Sequence, residues 1–366
     1  MPSPSPSPQP VRIREIAAKA KCTIATVSMA LNGSERLPEK TRIRIQAIAR
    51  KLGYVPNRLA KSLSLGRTGV LGVVLPMASD PYYAAILDAL NQEALSDNRQ
   101  LLFQFHHWSP QQEDKALQRL AESRVDGILL YPARRDYAGA EVAEWLAATR
   151  MPLVMLSDIG GESLSFAAGR VMKDRQAECT LIRQELLRLN HRRADLLHPH
   201  FSRSEIGERY EGLLDREDPQ NAGLDLRLFR LPKSEGMPIS PKRGFSPAES
   251  EQETECYLAA YLDWPERGSA VVTSNHSVAW KLMALMRKRN LRVPEDLSMI
   301  SIGILKGGEG GGFPLTAVEY DARAIARLAL GMARDRLDDL RTTGMIPVQP
   351  QLCSRGSAIP FSGNRP

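Results

Sequence analysis

The chain has 366 residues, 43% apolar and 25% charged, with 49 Lys and Arg against 42 Asp and Glu for a net charge of +7. That length suits a small head and one two-lobed body, and the absence of any run of transmembrane or signal-peptide length predicts a cytoplasmic protein with no membrane partner. Four scattered cysteines (Cys22, Cys179, Cys256 and Cys353) lack CxxC or metal-ligand spacing, so free thiols are expected and neither a disulfide framework nor a metal centre is.

The charge is unevenly placed. Residues 11–68 hold 13 Lys or Arg and 3 Asp or Glu, a net of +10, which leaves −3 for the rest of the chain. A basic head on a slightly acidic body is the electrostatic footprint of a nucleic-acid binder. Ahead of it, MPSPSPSPQP at residues 1–10 alternates proline with small polar residues and reads as an extended, disordered tail.

The head itself reads as three short helices. Ile13, Ile16, Ala17 and Ala20 repeat at i, i+3, i+4, i+7 and predict the first. The second, TIATVSMALN at 23–32, turns Val27, Ala30 and Leu31 inward and places Ala25, Ser28, Met29 and Asn32 on the opposite face. Ile45, Ile48, Ala49 and Leu52 make a third, opened near Pro38 and closed at Gly53. A tight first turn followed by such a helix fits a helix-turn-helix unit, whose second helix enters the DNA major groove. Any small helical subdomain would share the periodicity; the charge favours the DNA-binding reading.

Beyond the head, Asn57 after Pro56 is a good N-cap for a helix of about two turns, too short to be stable alone in water. From Val70 the texture alternates. Strands are expected over 70–76, 101–105, 125–131, 152–156, 194–198 and 270–273. Helices are expected over 82–96, 113–123, 142–149, 175–189 and 278–288, with two shorter segments at 209–214 and 256–262. Such alternation implies βαβ units around parallel sheets. Residues 215–255 are less regular, and LPKSEGMPISPKRGFSP reads as a long loop.

The residues from Val11 to Thr68, with ATVSMALNGS, LPEKTRIRI and LGYVPNRLAKSL, resemble the DNA-binding head and hinge of the lactose/purine repressor (LacI/GalR) family. Gly127-Ile128-Leu129, His191-Arg192-Arg193, Glu208-Arg209 with Gly212, and LRVPEDLSMIS at 291–301 are similar to that family's effector-binding core. The resemblance implies a three-helix head over 11–56, a hinge helix and linker over 57–68, and a two-lobed periplasmic-binding-protein-like core over 69–366. The lobes are expected at about 69–158 plus 304–327 and about 159–303 plus 328–366. It also implies DNA contacts from Thr23, Ile24, Ala25, Thr26, Ser28, Met29, Asn32, Tyr54, Asn57, Ala60 and Lys61, with Leu63 as the wedge that kinks the minor groove. The chain departs from the family pattern at Lys21, where a glycine is usual, and at the base-reading positions Ile24, Ala25 and Met29, none of which makes a bidentate bond to guanine. Contact with thymine methyls remains.

In the cleft the resemblance points to Tyr82, Tyr83, Arg203, Arg209, Asn275 and His276, with Phe245 as an aromatic wall. Two family aspartates have become His276 and Gly303. A cleft that keeps arginines and loses carboxylates is unbalanced unless an anionic or acceptor-rich ligand enters. No nucleophile elbow, HExxH or paired-acid pattern supports catalysis, and no cofactor is expected. The glycine run at 307–312 lacks the Lys-Ser/Thr of a phosphate-binding loop and leads into Phe313-Pro314, so it reads as a loop. The His106-His107 and His198-Pro199-His200 groups lack ligand partners and suit strand ends. The expectation is a homodimeric repressor on a palindromic operator, tuned by a small molecule. A solute-sensing receptor on the same core is the alternative, and it would need an export signal and no basic head.

Overall fold

The structure is a computed structural model that describes residues 11–54, 67–134, 137, 140–157, 168–199, 210, 212–215, 219, 222–230, 247–304, 314–338 and 344–363. Outside these lie the residue 1–10 segment, Asn57, Ala60, Lys61, Leu63, Arg203, Arg209, Phe245 and the glycine run. Two compact units divide the chain, Met1–Thr68 and Gly69–Pro366.

In the first unit α1 (Ile13–Ala20), α2 (Ile24–Leu31) and α3 (Glu39–Lys51) enclose Ile16, Ala17, Ala20, Val27, Ala30, Ile45 and Ala49. The helix ends are tied down by local chemistry. Thr23 Oγ1 accepts the Thr26 N–H at 3.1 Å and so caps α2. Lys21 adopts φ 53°, ψ 49°, the left-handed conformation that lets the Cys22 N–H reach back to Ala17 O at 3.1 Å. Side chains of α3 then reach carbonyls at the ends of α1 and α2: Arg44 Nη2 donates to Ala20 O at 3.3 Å, and Gln46 Nε2 donates to Ala30 O at 3.0 Å beside the Gly33 N–H.

The second unit begins with β1 (Val70–Leu75), α4 (Pro81–Ser96), β2 (Gln100–Phe105), α5 (Pro110–Glu122), β3 (Gly127–Leu130), α6 (Glu141–Thr149), β4 (Leu153–Met155) and β5 (Ala168–Lys173). It continues through α7 (Arg175–Arg188), β6 (Arg193–Leu197), β7 (Asp225–Leu228), α8 (Pro247–Asp263), β8 (Ala270–Thr273), α9 (His276–Lys288), β9 (Ser298–Ile304) and β10 (Ala317–Tyr320). It closes with α10 (Ala322–Asp338), β11 (Met345–Val348) and β12 (Gln351–Cys353). One sheet runs β11-β5-β4-β3-β1-β2, all parallel; the other runs β12-β10-β9-β8-β6-β7, parallel except for β12 against β10. Strands such as VLGVVL and SMISIGI are near-continuous apolar runs because helices cover both faces of each sheet.

The expected lobe division is corrected. Strands β5 and β11 join the first sheet, α10 packs against α4 and that same sheet, and β10 joins the second. The chain therefore passes between lobes at Asp174, at Asp321 and at Gln349-Pro350. Short strands carry no local mark of their partner, so the division that the resemblance implied put β5, β10 and β11 in the wrong lobes. The less regular stretch expected over 215–255 contains β7 and the first half of α8, and residues 231–246 of the expected long loop lie outside the described residues. Among the described residues no helix is long and apolar enough to cross a membrane.

Candidate nucleic-acid interface and ligand cleft

On the first unit, the inward side of α2 is spent on Val27 and Ala30, both fully buried. Its outer side presents Ile24, 53% exposed, with exposed Ala25, half-buried Ser28 and Met29, and Asn32 just past its end. The Thr23 and Thr26 hydroxyls lie 2.9 Å apart, engaged with each other and the cap, while Asn32 Nδ2 reaches Ser28 Oγ at 3.5 Å. Tyr54 is half-buried and its N–H donates to Ala49 O, so it belongs to the close of α3 as much as to any outer surface. Lys19, Lys21, Arg36, Lys40, Arg50 and Lys51 are exposed around this unit and supply the positive field that phosphates would meet.

On the second unit, helices start just beyond strand ends. Asp80, Asp174 and Asn275 follow β1, β5 and β8 and cap α4, α7 and α9. Open α/β sheets bind ligands in the crevice beyond those carboxyl ends, where the two lobes face each other. Asp80 serves both lobes: Oδ1 accepts the Tyr82 N–H at 2.8 Å and Oδ2 accepts the Ser277 hydroxyl at 3.3 Å. The three crossovers are also knitted together. Asp174 N–H donates to Val348 O at 3.0 Å, Gln349 Nε2 donates to Asp174 Oδ2 at 2.7 Å, and the Tyr320 hydroxyl lies 3.2 Å from Asp174 O and 2.8 Å from Glu178 Oε2. The Ala177 N–H and Gln349 hold the Asp174 carboxyl below its ordinary range. Lys173 places its ammonium 4.1 Å from the Tyr82 ring centre and 5.1 Å from that of Tyr320.

Two expected cleft residues prove to be interior. Tyr83 turns into the first lobe, packing edge-on against Tyr131 at 5.1 Å and Trp108 at 6.1 Å, whereas Tyr82 stays half-buried. The helical turn that begins at Pro81 aims neighbouring side chains about 100° apart, so adjacent tyrosines cannot share one wall. His276 is 4% exposed and occupied: Nδ1 lies 3.0 Å from Ser301 Oγ and Nε2 3.2 Å from Glu319 Oε1. Because a carboxylate only accepts, Nε2 is the donor to Glu319. Burial raises the Glu319 carboxyl, but hydrogen bonds from His276 and Arg355 and the Arg355 charge outweigh it and hold it below its usual range. Arg355 grips Glu319 with both nitrogens, at 2.9 and 2.8 Å.

Sequence reasoning missed Lys173, Glu319, Arg355 and Trp280, which share no spacing along the chain. Asn275 Oδ1 accepts the Val278 N–H at 2.9 Å, so it is a helix cap first. Beside it, Thr273 Oγ1, Ser274 Oγ and Trp280 Nε1 are buried atoms with no hydrogen-bond partner among the described residues. Burying a polar group unpaired costs about 1–3 kcal/mol, so two at the end of β8 and a third in α9 mark where an incoming group or water would be held. Elsewhere in the first lobe, His106 Nε2 donates to Tyr131 O at 2.9 Å and its Nδ1 accepts from the Trp108 N–H, which suits the expected strand-end role. No cluster of three or more metal-ligating side chains occurs among the described residues.

Comparison with known proteins agrees with this architecture. Residues 12–57 match the family described as "Bacterial regulatory proteins, lacI family". Residues 68–236 match "Periplasmic binding proteins and sugar binding domain of LacI family", and 184–358 match "Periplasmic binding protein-like domain". The transcriptional repressor PurR of Erwinia tasmaniensis is 23% identical over 345 residues, covering 94% of this chain and 96% of that protein. The transcriptional regulator IdnR of Escherichia coli is 26% identical over 290 residues, covering 78% and 80%. Among solved structures, the lac repressor dimer bound to operator and the anti-inducer ONPF aligns with TM-score 0.72 at 19% identity, covering 96% of this chain and all of that one. Head and core together define a DNA-binding transcription regulator with a two-lobed, periplasmic-binding-protein-like body. The chain belongs to the LacI family of bacterial regulatory proteins.

Proposed function

We propose that this regulator acts as a homodimeric repressor on a pseudo-palindromic operator, with its affinity set by a small molecule held between the lobes. The observation that carries this reading is α2: a well-capped helix with an unpartnered outer face on a unit of strongly positive charge. One such helix covers only a few base pairs, and two related by symmetry reach useful specificity. The named relatives are transcription regulators, which supports a protein without catalytic activity that works in the cytoplasm. Asn57, Ala60, Lys61 and Leu63 are assigned to the hinge, with Leu63 the minor-groove wedge, on the family resemblance alone.

The effector is assigned to Tyr82, Lys173, Thr273, Ser274, Asn275 and Trp280, together with Arg203, Arg209 and Phe245 by resemblance. Its class is anionic or rich in acceptors. The Trp280 indole only donates, Lys173 is cationic, and the buried Glu319 carboxylate is already committed to Arg355 and His276. Selection of bound duplexes from a random pool tests the core of the proposal. A palindrome whose binding weakens steeply between 50 and 200 mM salt is expected. Recovery of no shared sequence, or occupancy of a single half-site by a monomer, would overturn it. Within that operator, Leu63→Ala should weaken specific binding more than random binding, and Lys61→Ala should weaken both and lower the salt slope by about one.

A further inference from the structure

Operator recognition in the major groove ordinarily rests on side chains that hydrogen-bond to base edges, and α2 has few to offer. Its outward positions Ile24, Ala25 and Met29 carry no hydrogen-bonding group, and Ile24 stands 53% exposed with nothing from its own unit to cover it. The polar residues nearby are largely committed. Thr23 Oγ1 accepts the Thr26 N–H and meets the Thr26 hydroxyl, and Asn32 leans on Ser28. Ser28, between the apolar residues at helical spacing, keeps one hydroxyl proton to donate.

We infer that α2 reads its half-site through the C5-methyl groups of pyrimidines, pressed against Ile24, Ala25 and Met29, and rejects pairs that lack them. Of the four unmodified bases, thymine alone presents a methyl in the major groove; 5-methylcytosine presents the same group at the same place. Contact removes the methyl and the exposed isoleucine from water together. Each methyl covered is equivalent to about 0.8 kcal/mol, which is about a fourfold change in affinity. Discrimination has a second source. A guanine O6 and N7 or a cytosine amino group facing Ile24 would lose water and gain no partner, a penalty that polar pairs at these positions cannot escape. The positive charge of the head holds the duplex against this surface without regard to sequence, so the apolar face is left to choose the site.

This inference rests on the DNA-binding reading above, and its test separates the two. The full-length protein is titrated with its selected operator, with the same duplex in which every thymine of one half-site is replaced by uracil, and with versions carrying cytosine or 5-methylcytosine at those positions. Uracil keeps every hydrogen-bonding edge and loses only the methyl. About fourfold weaker binding per contacted methyl is expected, with Ile24→Ala lowering the thymine-to-uracil ratio by the share of the methyl it covers. Recovery of affinity from cytosine to 5-methylcytosine assigns the methyl itself as the recognised group; preference for thymine without that recovery assigns the whole thymine edge together with its methyl. Equal binding of thymine and uracil duplexes overturns the inference and leaves DNA binding intact. Failure to bind any duplex overturns the reading beneath it.

Discussion

The imidazole of His276 occupies the space in which a side chain at position 303 would begin: a Cβ built on Gly303 falls 2.1 Å from His276 Nε2. The two family aspartates replaced in this chain are thus not independent losses. A ring at 276 that reaches Glu319 and Ser301 requires glycine at 303. Gly303→Ala should destabilise the core by about 2–4 kcal/mol, since the obstruction is a ring held at both nitrogens. His276→Ala added to it should restore most of that loss, because the space is then empty. Urea midpoints of the two single variants and the double variant check this, and simple additivity would refute the coupling.

Two neighbouring groups of the first lobe titrate in opposite senses. Burial pushes the Glu113 carboxyl up to about 7, despite bonds from the Ala133 N–H and the Tyr137 hydroxyl, and pushes His106 down to about 4. Glu113 contributes stability that is complete below pH 4.5 and is lost as pH rises towards 7. His106 contributes stability that is complete above pH 6.5 and is lost as pH falls towards 4. Each amounts to about 3 kcal/mol, so they offset and the native protein should show a nearly level Tm between pH 4.5 and 6.5. Glu113→Gln should leave a Tm that drops on acidification, and His106→Gln one that drops as pH rises. Identical pH profiles for all three proteins would contradict the assignment.

Lys21 holds a left-handed conformation that strains any residue with a Cβ. Lys21→Gly should therefore stabilise the head by about 0.5–1 kcal/mol, part of the relief being offset by the greater freedom of glycine in the unfolded chain. Operator affinity should be unchanged, or fall slightly if the ammonium meets a phosphate. Thermal unfolding of the full chain, followed by the head transition, decides it; a lower midpoint would show that the turn needs lysine.

Thr273 and Trp280 should reveal a trade between stability and ligand binding. Their polar atoms are buried without partners among the described residues, so Thr273→Val and Trp280→Phe should leave the ligand-free core as stable as before or about 1–2 kcal/mol more stable. An effector present at 100 times its Kd should stabilise the native protein by about 2.7 kcal/mol, and this gain should shrink in both variants. A thermal-shift screen of anionic metabolites beside neutral sugars provides the ligand. Stabilisation by neutral sugars with no response to anions would reverse the assignment of effector class, and silence across both sets would mean that the cleft has lost its ligand.

Local order along the chain determined a good deal about this protein. The head follows from periodicity, from Thr23 as a cap and from a charge imbalance that needs no coordinates, because helices and caps depend on residues within four positions of each other. The βαβ texture of the core was legible for the same reason. The tertiary structure decided what depends on distant partners. Strands β5, β10 and β11 are short and apolar like their neighbours, and only their pairing shows which lobe each completes. Tyr83 and His276, both placed in the cleft by position in the sequence, turned inward because packing against Tyr131 and hydrogen bonding to Glu319 are settled by residues 48 and 43 positions away. Glu319 and Arg355 had no motif to announce them; they meet because β10 and the chain after β12 lie side by side in the folded sheet, and burial makes the bond between their charges necessary.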